Sequence, residues 1–220
     1  MTASDNAGGR PLEGVTRGGV TGVTRRQAPA GWSGQAVPGL GFHLGTGKDD
    51  WCTPPWLLRY AEEQLPHGWC FEVDAAARQA TALAPAWYGP DHPDPARRDA
   101  LAADWGQQVV WCNPPYSRAG GGLLAWCAKF YQAAQGGALV VALFFARTDT
   151  RAWHQYVTRA HGVTFLEGRV RFIDPATGQP GKAGATAGSC LVQWWPPGAP
   201  VAGAAPAVRY LSREEQQKWK

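Results

Sequence analysis

The chain lacks any apolar run long enough to cross a membrane: the longest, Ala138 to Ala146, is about half of the ~20 residues a spanning helix requires. Nor does an apolar segment follow a basic start, so no secretory leader and no membrane association are expected. Cysteine is scarce and unpatterned. Cys52, Cys70, Cys112, Cys127 and Cys190 form no C-x-x-C pair and are odd in number, which argues against a disulfide-stapled secreted scaffold and a thiolate zinc site and points to a reducing, cytoplasmic setting. His43, His67, His92, His154 and His161 show no metal-ligand spacing, and no metal is expected. A large excess of one charge is missing too. Twenty-one Lys plus Arg against 17 Asp plus Glu give +4, which suits a polyanionic partner without requiring one.

What is present is a globular composition, 45% hydrophobic and 17% charged over 220 residues, enough for one compact domain. Residues 1–41 are Gly, Thr, Ala and Arg with few large apolar side chains, and are expected to form a disordered leader. Residues 42–195 alternate short apolar runs with amphipathic stretches, the pattern of an α/β domain with a mostly parallel sheet. Residues 196–220 read as a Pro/Ala-rich tail with a short polar helix near Ser212 to Lys220.

Within the folded part, Thr53 is expected to cap a helix that starts at Pro54 and ends near Leu65, before Pro66 and Gly68. Strands are expected at Cys70 to Val73, Val109 to Trp111, Ala138 to Phe145, Val163 to Phe165 and Ser189 to Trp195. Helices are expected at Leu123 to Gln135 and Arg151 to His161.

The most informative segment is Val109-Val110-Trp111-Cys112-Asn113-Pro114-Pro115-Tyr116-Ser117, an apolar strand stopped by two prolines. In an open α/β sheet such a turn sits at the carboxyl ends of the strands, where ligands bind. The Asn113 side-chain carbonyl and the Pro114 backbone carbonyl could both accept hydrogen bonds from a planar amino group. That would draw its nitrogen toward tetrahedral geometry and free its lone pair. Pro115 fixes the backbone, and the Tyr116 ring could stack on a base. An ordinary Pro-rich turn with a packed tyrosine remains the plain alternative.

Together with four further segments, this motif resembles the small phage-type DNA N6-adenine methyltransferases, from about Trp51 to Trp195. The segments are Trp51-Cys52-Thr53-Pro54, Phe71-Glu72-Val73-Asp74-Ala75-Ala76-Ala77, Phe144-Phe145-Ala146-Arg147-Thr148-Asp149-Thr150 with Trp153-His154, and Glu167-Gly168-Arg169-Val170-Arg171-Phe172. The resemblance implies a Rossmann-like S-adenosylmethionine-dependent methyltransferase fold. It also implies methyl transfer to the exocyclic amino group of adenine in double-stranded DNA, after base flipping, in the cytoplasm of a bacterial host of a phage or prophage.

The same resemblance sets Trp51, Thr53, Pro54, Asp74 and Ala75 beside S-adenosylmethionine, with Asp104 and Trp105 at its adenine. Asn113, Pro114, Pro115 and Tyr116 become the catalytic turn. Ser117, Arg118, Arg147, Arg169 and Arg171 become DNA contacts, the last two on one face of a strand. The stretch around Asp74 lacks the G-x-G glycines of the usual nucleotide fingerprint, so a plain buried strand stays open for it. For Asp104 the alternative is a surface turn, and for Arg147 a structural ion pair. Other function classes also remain: an amino-methyltransferase of RNA or of a protein glutamine, or a nucleic-acid-binding relative without catalysis.

Overall fold

The computed structural model describes residues 51–117, 121–199 and 206–220. The leader expected at 1–41 and the DNA contact expected at Arg118 lie outside the described residues.

A seven-stranded sheet organises the chain. Its strands are β1 (Val73–Asp74), β2 (Ala86–Trp87), β3 (Val109–Cys112), β4 (Leu139–Phe145), β5 (Gly162–Leu166), β6 (Ser189–Trp194) and β7 (Ala207–Leu211), in the order β2-β1-β3-β4-β6-β5-β7. Only β6 runs against its neighbours. The other six strands point the same way, so their carboxyl ends share one edge. Strands β3 and β4 read Val-Val-Trp-Cys and Leu-Val-Val-Ala-Leu-Phe-Phe and are buried on both faces, as continuous apolar runs in a covered parallel sheet must be.

Helices cover both faces. On one face α2 (Gly122–Gln135) and α3 (Arg151–Gln155) bury Trp126, Phe130, Phe144 and Trp194. The Phe130 and Trp194 ring centroids lie 5.3 Å apart. On the other face α1 (Pro55–Glu63) packs Leu57, Leu58 and Ala61 against Trp111, Val141 and Leu143. The C-terminal α4 (Arg213–Gln217) follows β7, and Trp219 beyond it meets Tyr60 of α1 edge-on at 5.6 Å.

The structure departs from the sequence expectations in several places. Thr53 does not cap α1: Pro54 occupies the cap position with no side-chain hydrogen bond, and the helix starts one residue later. The strand expected at Cys70 to Val73 shifts to Val73–Asp74, because Glu72 uses its side chain as well as its backbone on Val109. The helix expected to run to His161 stops at Gln155 and gives way to one 3₁₀ turn, Val157–Arg159. The segment of Arg169 and Arg171 follows β5 without being a strand, although the two arginines are exposed and Val170 between them is buried. Strands β2 and β7 were not anticipated. In the stretch read as a tail, β7 pairs with β5 over five residues, and Ser212 closes a capping box with Glu215 on α4.

Candidate active site

From β1 the chain passes to β2 on one side of the sheet, and the strand on the other side of β1 is β3. The carboxyl ends of β1 and β3 thus flank the point where the strand order reverses, the usual place for a ligand crevice in such sheets. A cavity of about 610 Å³ opens there, within the roughly 300–1,000 Å³ of sites that hold small-molecule ligands and cofactors.

Asn113 stands at its wall, directly after β3. Its Nδ2 donates to the Trp51 carbonyl at 3.4 Å, while its Oδ1 is buried and has no hydrogen-bond partner among the described residues. A buried carbonyl oxygen without a donor costs about 1–3 kcal/mol, so the site keeps an acceptor in waiting. Two other buried polar atoms of the same cavity wall are also unpaired, Thr53 Oγ1 and Trp111 Nε1.

Asp74, at the end of β1, is buried, and its carboxylate accepts the Leu83 N–H at 3.0 Å and the Ala76 N–H at 3.3 Å. Burial raises its pKa to about 6, against the lowering effect of those two N–H groups. The carboxylate thereby holds the loop from Ala75 to Leu83 in a curl around the cavity. Gly89 belongs to the same wall, and a Cβ there would fall 1.7 Å from the Ala77 carbonyl oxygen, so only glycine allows this close approach of backbones. On the far side Gly121 adopts φ 90°, and a Cβ would sit 2.6 Å from Leu101 Cδ1.

Of the residues expected from sequence at the cofactor, Trp51, Thr53, Asp74 and Ala75 line this cavity. Pro54 does not; it lines a larger neighbouring cavity. Asp104 and Trp105 do not line it either: Trp105 is 1% exposed with its Nε1 bonded to the Ala100 carbonyl, and the exposed Asp104 accepts the Gly106 N–H. From that segment the wall takes Asp99, Ala100 and Leu101. Asp99 accepts the N–H groups of Leu101 and Ala102, and six residues later the Trp105 indole is already in the core.

Of the catalytic turn, Asn113 and Pro115 line the cavity. Pro114 is buried, and the Tyr116 ring lies 4.2 Å from Phe145 at 15°, stacked on the end of β4. Burial raises the Tyr116 hydroxyl well above its ordinary range, so it stays protonated. Ser117 is half-buried just beyond. Arg147 is exposed after β4, 6.0 Å above the Phe145 ring, and Arg169 and Arg171 line the larger cavity. Sequence inspection missed Asp99, Gly89 and Gly121. Only the Gly89-Pro90 turn signal pointed to one of them.

The model of the DNA N-6-adenine-methyltransferase (Dam) family matches residues 44–217. The chain belongs to this family. A DNA N-6-adenine-methyltransferase of Haemophilus phage HP1 (strain HP1c1) is 27% identical over 133 residues, which covers 60% of this chain and 70% of the phage protein. No solved structure matches the chain. The family match runs through α4 to Gln217 and so takes in β7 and the capping box. Among the described residues no helix is long and apolar enough to cross a membrane.

Proposed function

We propose that this protein transfers the methyl group of S-adenosylmethionine to the exocyclic N6 amino group of adenine in double-stranded DNA, with the target base swung out of the helix. Asn113 Oδ1, buried at the wall of the β1/β3 cavity and without a partner among the described residues, is the observation that carries the proposal. The adenine amino nitrogen is a poor nucleophile because its lone pair is delocalised into the ring. Asn113 Oδ1 and the Pro114 carbonyl accept its two N–H groups, localise the lone pair and hold the nitrogen in line for attack.

The cofactor supplies an electrophilic methyl carbon on a sulfonium. The cavity suits it by volume and by its unpaired donors. Thr53 Oγ1, beside the start of α1, and Trp111 Nε1 are placed for acceptor groups of a ligand. Asp74 and Ala75 hold the loop against which the nucleoside part rests, and Asp99 takes the role that the sequence suggested for Asp104. A Rossmann-like fold agrees with the switch point between β1 and β3. Tyr116, backed by Phe145, offers a stacking surface for the flipped base. Ser117, Arg118, Arg147, Arg169 and Arg171 serve the DNA backbone.

The test is transfer of a radiolabelled methyl group from S-adenosylmethionine to duplex DNA, RNA and protein offered separately, followed by nucleoside analysis. Label recovered as N6-methyladenine from DNA is expected. Label confined to RNA or to protein glutamine would overturn the substrate, and no transfer to any of the three would overturn the reaction.

A further inference from the structure

The carboxyl edge of the sheet carries more than the Asn113 crevice. Strands β3, β4, β5 and β7 all end there, so Asn113, Arg147, the segment from Glu167 to Arg171, and Arg213 leave the sheet on one side. Next to β5 and β7 that side opens into a cavity of about 1160 Å³, walled by α1, residues 167–184 and α4. Five cationic side chains line it, Arg59, Arg169, Arg171, Arg213 and Lys220, and all five are exposed. Two carboxylates share the wall, Glu62 and Glu167. Glu167 is partly spent on structure: its Oε2 accepts the Arg213 backbone N–H at 2.8 Å.

This cationic groove adjoins the candidate active site directly. Leu83 lines both cavities, and Thr53 of one is followed in the chain by Pro54 of the other. Several of the cations are held in place by their surroundings. Arg59 Nη2 donates to the Trp219 carbonyl, the Arg213 guanidinium lies against Gly168, and Lys220 Nζ sits 5.8 Å over the Trp56 ring. A guanidinium has five N–H donors and an ammonium three, so these contacts use only part of the donors each side chain carries.

We propose that this groove is a phosphate track: Arg59, Arg213 and Lys220, with Arg169 and Arg171, grip the DNA backbone flanking the target adenine. It rests on the function proposed above, and it joins Arg169 and Arg171, which a sequence motif marked, to Arg59, Arg213 and Lys220, which no motif marked. Five exposed cations around one groove beside the Asn113 cavity suit a duplex whose phosphates continue past the flipped nucleotide. No side chain in the set need read a base edge, so the groove sets affinity and register, and carries no sequence information.

The experiment measures binding of the full chain to a long duplex across a salt series, for the wild type and for the Arg213→Gln/Lys220→Gln double variant. On duplex DNA each lost phosphate contact lowers the slope of log K against log salt by about 0.9, so the double variant is expected to lose about 2 from its slope. The charge-preserving Arg213→Lys/Lys220→Arg variant is expected to keep the wild-type slope. Affinity for the cofactor analogue sinefungin reports that each variant is folded. Should the double variant not fold, Arg213→Gln and Lys220→Gln are each expected to lose about 1 from the slope. An unchanged slope in folded neutral variants overturns the proposal, as does displacement of the wild type from DNA by polyglutamate that leaves the variants equally sensitive to salt. Methyl transfer by the wild type on the same duplex is scored separately. Transfer with an unchanged slope removes the groove alone, and a reduced slope without transfer removes the reaction and leaves the groove.

Discussion

The two halves of the sheet are built to different ends. In the half from β4 to β5, strands pair over long registers: β4 and β6 match from Val140 to Phe145, and the Phe130, Phe144 and Trp194 rings fill one face. In the half from β2 to β3, β1 and β2 are two residues each, and loops take over where the ladder stops. Thr53, Trp111 and Asn113 line the cavity on this side, and among the described residues Thr53 Oγ1, Trp111 Nε1 and Asn113 Oδ1 are buried without a partner. One unpaired hydroxyl of the long half, Ser189, is opposite Phe145, again at the carboxyl edge. Among the described residues, buried side-chain atoms without a partner gather at the carboxyl edge and around the cavity, where a ligand can reach them, and the interior of the long ladders carries none.

Substitutions in the two halves are expected to separate stability from binding. Phe144→Ala removes a fully buried ring of the long half. We expect it to lower unfolding free energy by about 3–5 kcal/mol, read as a fall in the urea midpoint. A loss under 1 kcal/mol would mean that this half is not the scaffold.

The short half should show its cost in pH. The Asp74 carboxyl holds its proton up to about 6 in the fold, against the ordinary value of 3.8. Its contribution to stability is therefore complete below pH 3.8 and is lost as pH rises through about 6, an amount of about 3 kcal/mol at full extent. Asp74→Asn removes this titration. Its stability relative to the wild type should therefore improve steadily from about pH 4 to about pH 7, and parallel profiles would show that burial of the charge is not what the site maintains.

The smallest effect tests the withheld hydrogen bonds themselves. Thr53→Val keeps the shape and deletes the unpaired hydroxyl. The free protein is expected to gain on the order of 1 kcal/mol in stability while its affinity for S-adenosylmethionine, measured by calorimetry, falls. A variant that loses stability would show that the hydroxyl is satisfied in solution.

The same contrast governs how much could be read from sequence. β4 was legible because nine consecutive apolar residues, Ala138 to Ala146, allow little else. The turn at Asn113 was legible because two prolines end an apolar strand. β2 was not, since two residues carry no periodicity, and β7 was not, since an edge strand with Val208 and Tyr210 exposed has no apolar run to announce it. The β1/β3 cavity was legible in part. Trp51, Thr53, Asp74 and Ala75 meet in one cavity, but whether Asp99 or Asp104 joins them is decided by the packing of Trp105, which linear spacing does not reveal. Thr53 followed a cap pattern, yet Pro54 takes the cap position and the Thr53 hydroxyl has no partner among the described residues.

The most direct measurement is the single-turnover rate of methyl transfer by Asn113→Ala, alongside its affinity for S-adenosylmethionine. A rate lowered about 10²-fold or more with cofactor affinity retained is predicted, since the proposed contact of Oδ1 is to the reacting amino group and not to the donor. A rate equal to that of the wild type would contradict the assignment of this oxygen to the adenine.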